Sequence, residues 1–327
     1  MTVPRCAWAT AMASADLPLA VGPAMSATLG LEDVMFTATL IAAQGLDAGD
    51  ISAACERLRD AGCAPGVSGW IDTGVAADIL FGMAPEAARS ALEGAFASTD
   101  VIVQSSSARS RTLLVADMDS TMITVECIDE LADYAGIKAE VAAVTEAAMR
   151  GELDFGAALD ARVALLKGLD EGVIARCLAE RVTIMPGAKA LVRTMRARGG
   201  HAVLVSGGFT RFADPVAAEI GFDRAVANRL EIADGALTGT VAKPIVGSDT
   251  KVETLLATIA QLGIDDSASL AVGDGANDLA MIRRAGLGVA YRAKPIVAEA
   301  AGVRIDHNDL TALLYAQGIA RSQWVAD

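Results

Sequence analysis

Two carboxylates two residues apart, Asp117 and Asp119, close the apolar run TLLVA (112–116) and lead into Ser120-Thr121. A lone D-x-D is common in loops, so its place decides what it means. At the carboxyl end of a buried strand, strand spacing points both side chains one way. Two such charges about 4 Å apart repel by roughly 4 kcal/mol at an effective dielectric near 20. Holding them together calls for a cation or a raised pKa, and a hard divalent ion meets that need most simply. The run SLAVGD (269–274) brings a second acidic group, Gly273-Asp274-Gly275-Ala276-Asn277-Asp278, whose glycines allow close backbone approach. AVLVS (202–206) ends in Ser206-Gly207-Gly208, where a hydroxyl and exposed N–H groups at a helix start suit a phosphate oxygen. Lys251, before VETLLATIAQLG, is a compact cation able to steady an anionic nucleophile and a transferring group, with Lys243 the competing choice.

These groups need a scaffold that brings strand ends together. Apolar runs at 112–116, 202–206, 225–228, 269–274 and 287–291 alternate with helical stretches, the pattern of an α/β doubly wound parallel sheet. RLEIADGALTGTV interrupts it with a hairpin signal around Asp234-Gly235. About 85 mostly helical residues separate the first two strands, too many for one crossover helix, so a helical cap insertion is expected over about 124–186. A cap placed there covers the carboxyl ends of the strands, where ligands bind in such sheets. Upstream of the Ser-rich break QSSSARSR, residues 35–108 read as β-α-β-β-α-β, with Asp50 as N-cap of the first helix, Gly62 as its stop, and a second helix over APEAARSALEGAF with Pro85 in its first turn. That order resembles ACT-like regulatory folds. It carries no ligand-binding Gly signature, so the α+β unit is either an effector module or a dimerisation or stability domain, which leaves a homodimer open.

Composition narrows the partners. A length of 327 residues suggests about two domains. The 53% hydrophobic and 21% charged residues belong to a chain that folds. A net charge of −14 disfavours nucleic acid. No apolar run approaches the roughly 20 residues needed to span a bilayer, so no membrane is expected. The 5 cysteines are scattered, with no C-x-x-C, which fits a reducing cytoplasm. Residues 1–34 read as a disordered extension; MTVPRCAWATAMASADLP only faintly imitates a signal peptide.

DMDST, SGG, Lys251 and GDGAND, in this order, resemble the four motifs of haloacid-dehalogenase-type phosphatases over about residues 111–320. TMITVECIDELADYAG, RGELDF with Arg162, LVSGGF and AVGDGANDLAMI narrow the likeness to the branch that acts on O-phosphoserine. The resemblance implies that Asp117 is the nucleophile and Asp119 the general acid and base. It also implies that Mg²⁺ is held by Asp117, the Asp119 backbone carbonyl and Asp274, with Asp278 orienting that shell. Ser206, Gly207 and Lys251 would hold the phosphate, and Asn277 would contact substrate or position Lys251. In the cap, Glu126 would meet an ammonium, Arg162 a carboxylate, and Phe155 would supply apolar cover. Taken alone, Glu126 and Arg162 read as solvated charges and Phe155 as core; the matching offsets reverse this. Cys127 lacks a neighbouring base, and His201 and His307 read as structural or exposed. The alternatives are a phosphatase or phosphotransferase for another small phosphorylated metabolite, such as phosphohomoserine, or an inactive amino-acid-binding regulator.

Overall fold

The computed structural model describes residues 35–149 and 152–326; the extension expected over 1–34 lies outside the described residues. The chain divides into compact units between Arg109 and Ser110. The first contains β1 (Phe36–Ala42), α1 (Ala48–Asp60), β2 (Pro65–Asp72), β3 (Ala76–Phe81), α2 (Pro85–Leu92) and β4 (Thr99–Ser105). Its strands form an antiparallel sheet in the order β2-β3-β1-β4, a split β-α-β arrangement. Alternation sends Ala38, Leu40, Ile79, Phe81 and Val101 to the side where Ile51, Leu58 and Leu92 of the helices complete the core.

Helix α1 corrects the expected cap. Asp47, not Asp50, is the N-cap; its Oδ1 accepts from the Asp50 N–H while Asp50 Oδ2 accepts from the Asp47 N–H, both at 2.9 Å. Two acids three residues apart satisfy each other's amides as a capping box, which shifts the helix start forward. Helix α2 stops at Leu92, short of the expected Phe96, because Glu93 is extended and Gly94 turns to φ +71°.

The second unit holds β5 (Leu113–Ala116), then α3 (Cys127–Ala135), α4 (Lys138–Met149), α5 (Phe155–Leu165), α6 (Gly172–Arg181) and α7 (Ala188–Ala197). There follow β6 (His201–Phe209), α8 (Thr210–Ile220), β7 (Arg224–Asn228), β8 (Leu230–Ala233), β9 (Ala236–Val241) and α9 (Ser248–Leu262). The chain ends with β10 (Ser269–Gly273), α10 (Leu279–Arg284), β11 (Leu287–Tyr291), α11 (Pro295–Ala300), β12 (Val303–Ile305) and α12 (Ala312–Ala316). Strand β12, only three residues long, gave no sequence signal. The main sheet runs β12-β11-β10-β5-β6-β7 with every pair parallel. Every residue of β5 and β10 is buried, which explains their unbroken apolar character.

This order makes the sheet doubly wound. From β5 the chain goes outward through β6 and β7, then returns to β10 on the other side. The crevice at that reversal, between the carboxyl ends of β5 and β10, is where ligands bind in open α/β sheets. Helices α3–α6 occupy the insertion between β5 and α7. Hairpin β8–β9 turns at Asp234 (φ +50°) and Gly235 (φ +77°), the paired positive φ of a type I′ turn. Gly168 and Glu171, which follow α5, donate their N–H groups to Leu237 and Gly235 of this hairpin at 2.8 and 2.9 Å. No described helix is long and apolar enough to cross a membrane.

Candidate active site

Asp117 follows β5 directly, its N–H donating to the Val272 carbonyl of β10 at 3.0 Å, so the sheet ladder itself fixes its backbone. The next residues turn tightly: the N–H groups of Thr121, Met122 and Ile123 all converge on the Met118 carbonyl, and Ser120 takes φ +56°. Asp274 and Asp278 arrive from the end of β10. Gly273 is required there because a Cβ at that position would collide with the Asp278 side chain, which folds back over the strand end.

At the centre lies Lys251, fully buried. Its Nζ is 2.7 Å from Asp117 Oδ1 and 2.6 Å from Asp278 Oδ1. Lys251 belongs to the first turn of α9 rather than preceding the helix: its N–H donates to the Gly247 carbonyl at 3.1 Å. Asp278 spends its second oxygen on the Gly275 N–H (3.0 Å), so both its oxygens are engaged. Asp117 keeps Oδ2 and Asp274 keeps one oxygen, the other accepting from Thr121 Oγ1 at 3.0 Å.

The charges do not balance. Four carboxylates, Asp117, Asp119, Asp274 and Asp278, gather around one fully buried ammonium, with Glu126 adding negative charge and Arg162 and Lys294 the other cations that act on them. Burial, and then the charge of Asp278, push Asp117 well above the usual carboxylate range despite Lys251. Burial and the Glu126 charge raise Asp119 to about 7. Burial and Asp278 raise Asp274 to about 6. Burial alone would lower Lys251, but Asp117 and Asp278 overcome this and hold it above its ordinary value. Oxygen atoms of Asp117, Asp274 and Asp278 lie within 4.8 Å of one another. Surplus negative charge presented through hard oxygen donors fits a divalent cation.

The Ser206-Gly207-Gly208 loop and Phe155 stand beside this cluster, a Cβ on Gly208 falling 2.9 Å from Asp119 Oδ2. Ser206 is buried, its Oγ accepting from the Gly208 N–H at 2.8 Å. The Phe155 ring at the start of α5 lies over the same loop, its Cζ 2.9 Å from where a Cβ on Gly207 would stand. Asn277 Nδ2 is 4.0 Å from that point. Glu126 Oε1 accepts from Ser120 Oγ at 2.8 Å. Among the described residues the Arg162 side chain makes one hydrogen bond, from Nε to the Ala158 carbonyl (3.3 Å), leaving its Nη groups for a ligand. Burial lowers the Arg162 pKa against the opposing charges of Asp129, Glu126 and Asp119, which places the guanidinium near those acids.

The sequence pattern of haloacid dehalogenase-like hydrolases matches residues 114–283, more than half of the chain. The chain belongs to this family. It is 46% identical over 246 residues to a phosphoserine phosphatase of Streptomyces coelicolor, covering 74% of this chain and 60% of that protein. It is 49% identical over 207 residues to a phosphoserine phosphatase of Polaromonas sp., covering 62% and 88%. A solved probable phosphoserine phosphatase of Vibrio cholerae, unliganded, superposes with a TM-score of 0.70 at 33% identity, covering 89% and 90%. The chain spans roughly half to two thirds of the length of the curated relatives it matches first, 60%, 52% and 64%.

Hydrolases of this family generally use a metal ion, and the acidic cluster is compatible with one. Lys243, His201 and His307 lie away from this cluster. Lys243 is exposed and paired with Asp160 at 2.6 Å, which leaves the site to Lys251. His201 opens β6 at the opposite edge of the sheet and faces Asp223 at 3.1 Å; His307 is exposed. Cys127 is buried with its N–H 3.4 Å from Asp119 Oδ1, and its thiol is pushed well up, first by burial, which disfavours the thiolate. Sequence reasoning missed Ser120 and Thr121 as supports for Glu126 and Asp274. Their place inside DMDST was the available signal, but a hydroxyl one to four residues from an aspartate does not announce which acid it will meet.

Proposed function

We propose that this chain hydrolyses O-phospho-L-serine to L-serine and phosphate, the closing step of L-serine biosynthesis, with Mg²⁺ as its metal ion. The observation that carries this reading is the buried Lys251 bridging Asp117 and Asp278 at the switch point of the sheet. That bridge orients Asp117 and leaves Oδ2 free to attack phosphorus. In the first displacement a P–O bond forms to Asp117 as the bond to the serine oxygen breaks. Asp119, raised to about 7, gives its proton to that departing oxygen, since an alkoxide leaves poorly. Asp119 then takes a proton from the water that attacks the aspartyl-phosphate, and inorganic phosphate departs. The Asp117 and Asp274 carboxylates and the Asp119 backbone carbonyl would hold Mg²⁺, with Asp278 locked behind them by Lys251 and Gly275. When bound, the ion neutralises charge on the phosphoryl oxygens.

Ser206, Gly207 and Lys251 receive the remaining phosphoryl oxygens, and Asn277 stands beside them. Glu126 and Arg162 read the ammonium and carboxylate of the amino acid, and Phe155 closes the site against water. Helices α3–α6 serve as the cap, and residues 35–108 as an ACT-like unit. Cys63, Cys127 and Cys177 are free and buried thiols, which supports a cytoplasmic enzyme. The names of the relatives support the substrate. A panel of phosphomonoesters assayed with and without Mg²⁺ tests it: phosphate release from O-phospho-L-serine should exceed that from phosphoglycolate, sugar phosphates and phosphohomoserine. Equal rates across the panel would remove the substrate assignment.

A further inference from the structure

The phosphate loop is a fault in the sheet. Strands β6 and β7 pair residue by residue from Val203–Arg224 to Val205–Val226, and pair again at Phe209–Asn228. Between those points β6 advances four residues and β7 two, so Ser206-Gly207-Gly208 bulge out of the ladder. A bulge exposes N–H groups for an anion, but it also strips the Gly207 carbonyl of its strand partner.

Asn228, the last residue of β7 and 2% exposed, repairs this with its side chain. Its Nδ2 donates to the Gly207 carbonyl at 2.8 Å. The same amide treats Val246 as a neighbouring strand would: Oδ1 accepts from the Val246 N–H at 2.8 Å, and Nδ2 donates to the Val246 carbonyl at 3.1 Å. Val246 precedes Gly247, the N-cap of α9 and the acceptor of the Lys251 N–H. One buried amide therefore ties the loop that would hold phosphoryl oxygens to the start of the helix that carries Lys251. The Phe155 ring spans both sides of this joint, 2.9 Å from a Cβ position on Gly207 and 3.2 Å from one on Gly247.

We propose that Asn228 is a positioning residue for phosphoryl transfer: bridging Gly207 and Val246, it sets the spacing between the phosphate loop and Lys251. It touches neither substrate nor reacting atoms. The proposal rests on the phosphatase reading of the site, not on the identity of the amino-acid half of the substrate.

Asn228→Asp is the sharpest probe, because it keeps the shape and the acceptor for Val246 while removing both donors. In folded protein, kcat should fall about 100-fold, the loss that about 1 Å of misplacement by a residue away from the chemistry can cause. The product inhibitors divide the site: Ki for inorganic phosphate should rise about tenfold, while Ki for L-serine, read by the cap, should stay within about twofold. Unchanged kcat and phosphate Ki in folded Asn228→Asp overturn the proposal. So does an equal rise in both Ki values, which is what general loosening of the fold would give. If Asn228→Asp does not fold at the assay temperature, Asn228→Gln decides; it keeps every donor and acceptor but moves them by one methylene, and should give the same selective pattern at smaller size. Should the wild-type protein prefer another phosphomonoester, kcat on that ester and the phosphate Ki still test Asn228, so failure of the substrate assignment and failure of this proposal are told apart.

Discussion

Each unit holds a charged cluster, half-buried in the first and buried in the second, and the two treat charge in opposite ways. In the first unit Arg109 grips Asp78 with both Nη groups, at 2.5 and 2.8 Å, and Thr39 Oγ1 donates to the same carboxylate at 2.7 Å. One guanidinium meets one carboxylate in planar bidentate geometry, so these two charges offset each other. In the second unit four carboxylates converge on one ammonium, and three of them are held above their ordinary pKa. A balanced cluster contributes to stability. An unbalanced one costs stability until a cation or proton arrives, and that imbalance is what makes it a site for chemistry.

The strongest way to break this contrast is to remove one surplus charge. Asp117→Asn keeps the side-chain shape and an oxygen facing Lys251, yet removes the proposed nucleophile. Phosphate release should fall by about 10⁴-fold or more, while the metal-free melting temperature stays level or rises. Turnover near wild type would disprove the aspartyl-phosphate route.

A gentler test uses protons. The unfolded carboxyls titrate near 3.9, whereas folded Asp119 and Asp274 titrate at about 7 and about 6. Because both folded values are raised, the stability these groups contribute is full below about pH 4 and is lost as pH rises through 6 and then 7. A divalent ion held by the Asp274 carboxylate must displace its proton and is most needed once that proton has left. The rise in melting temperature on adding Mg²⁺ should therefore be larger near about pH 8 than near about pH 5.5. A rise independent of pH would mean the carboxyls are already ionised in the metal-free protein.

The parts of this site that were legible in the sequence are those whose signal is local. Asp117, Asp119, Asp274 and Asp278 stand within a residue or a turn of an apolar strand, so chain position alone put them at one sheet edge. Lys251 was harder, since Lys243 sits at a comparable place; only the fold, which spends Lys243 on Asp160, separates them. Asn228 was illegible: it reads only as the last residue of the strand run AVAN (225–228), and the carbonyls it serves come from residues 21 and 18 positions away. The β-α-β-β-α-β order of the first unit was readable from alternation and turn residues. The exact start of α1 was not, because Asp47 and Asp50 are both good caps and only the reciprocal bonds show which one stands outside the helix.

The balanced cluster offers the converse of the Asp117 experiment. The side chains of Arg109 and Asp78 are 18% and 20% exposed, so their pairing is only partly screened by solvent. Arg109→Met would leave Asp78 facing Thr39 without its cation in a mostly buried place. The loss should be about 1–2 kcal/mol, above the usual value for an exposed ion pair and below that for a fully buried one. Urea unfolding followed by a probe within the first unit measures it, and kcat should stay within about twofold of wild type, since no step proposed above uses Arg109. A fall in kcat comparable to the Asp117→Asn loss would show that the first unit takes part in the reaction. An unchanged unfolding midpoint would show that bidentate geometry is not what holds that sheet face together. Stability lost with activity kept at Arg109, against activity lost with stability kept at Asp117, is the pattern that separates charge used for folding from charge used for chemistry.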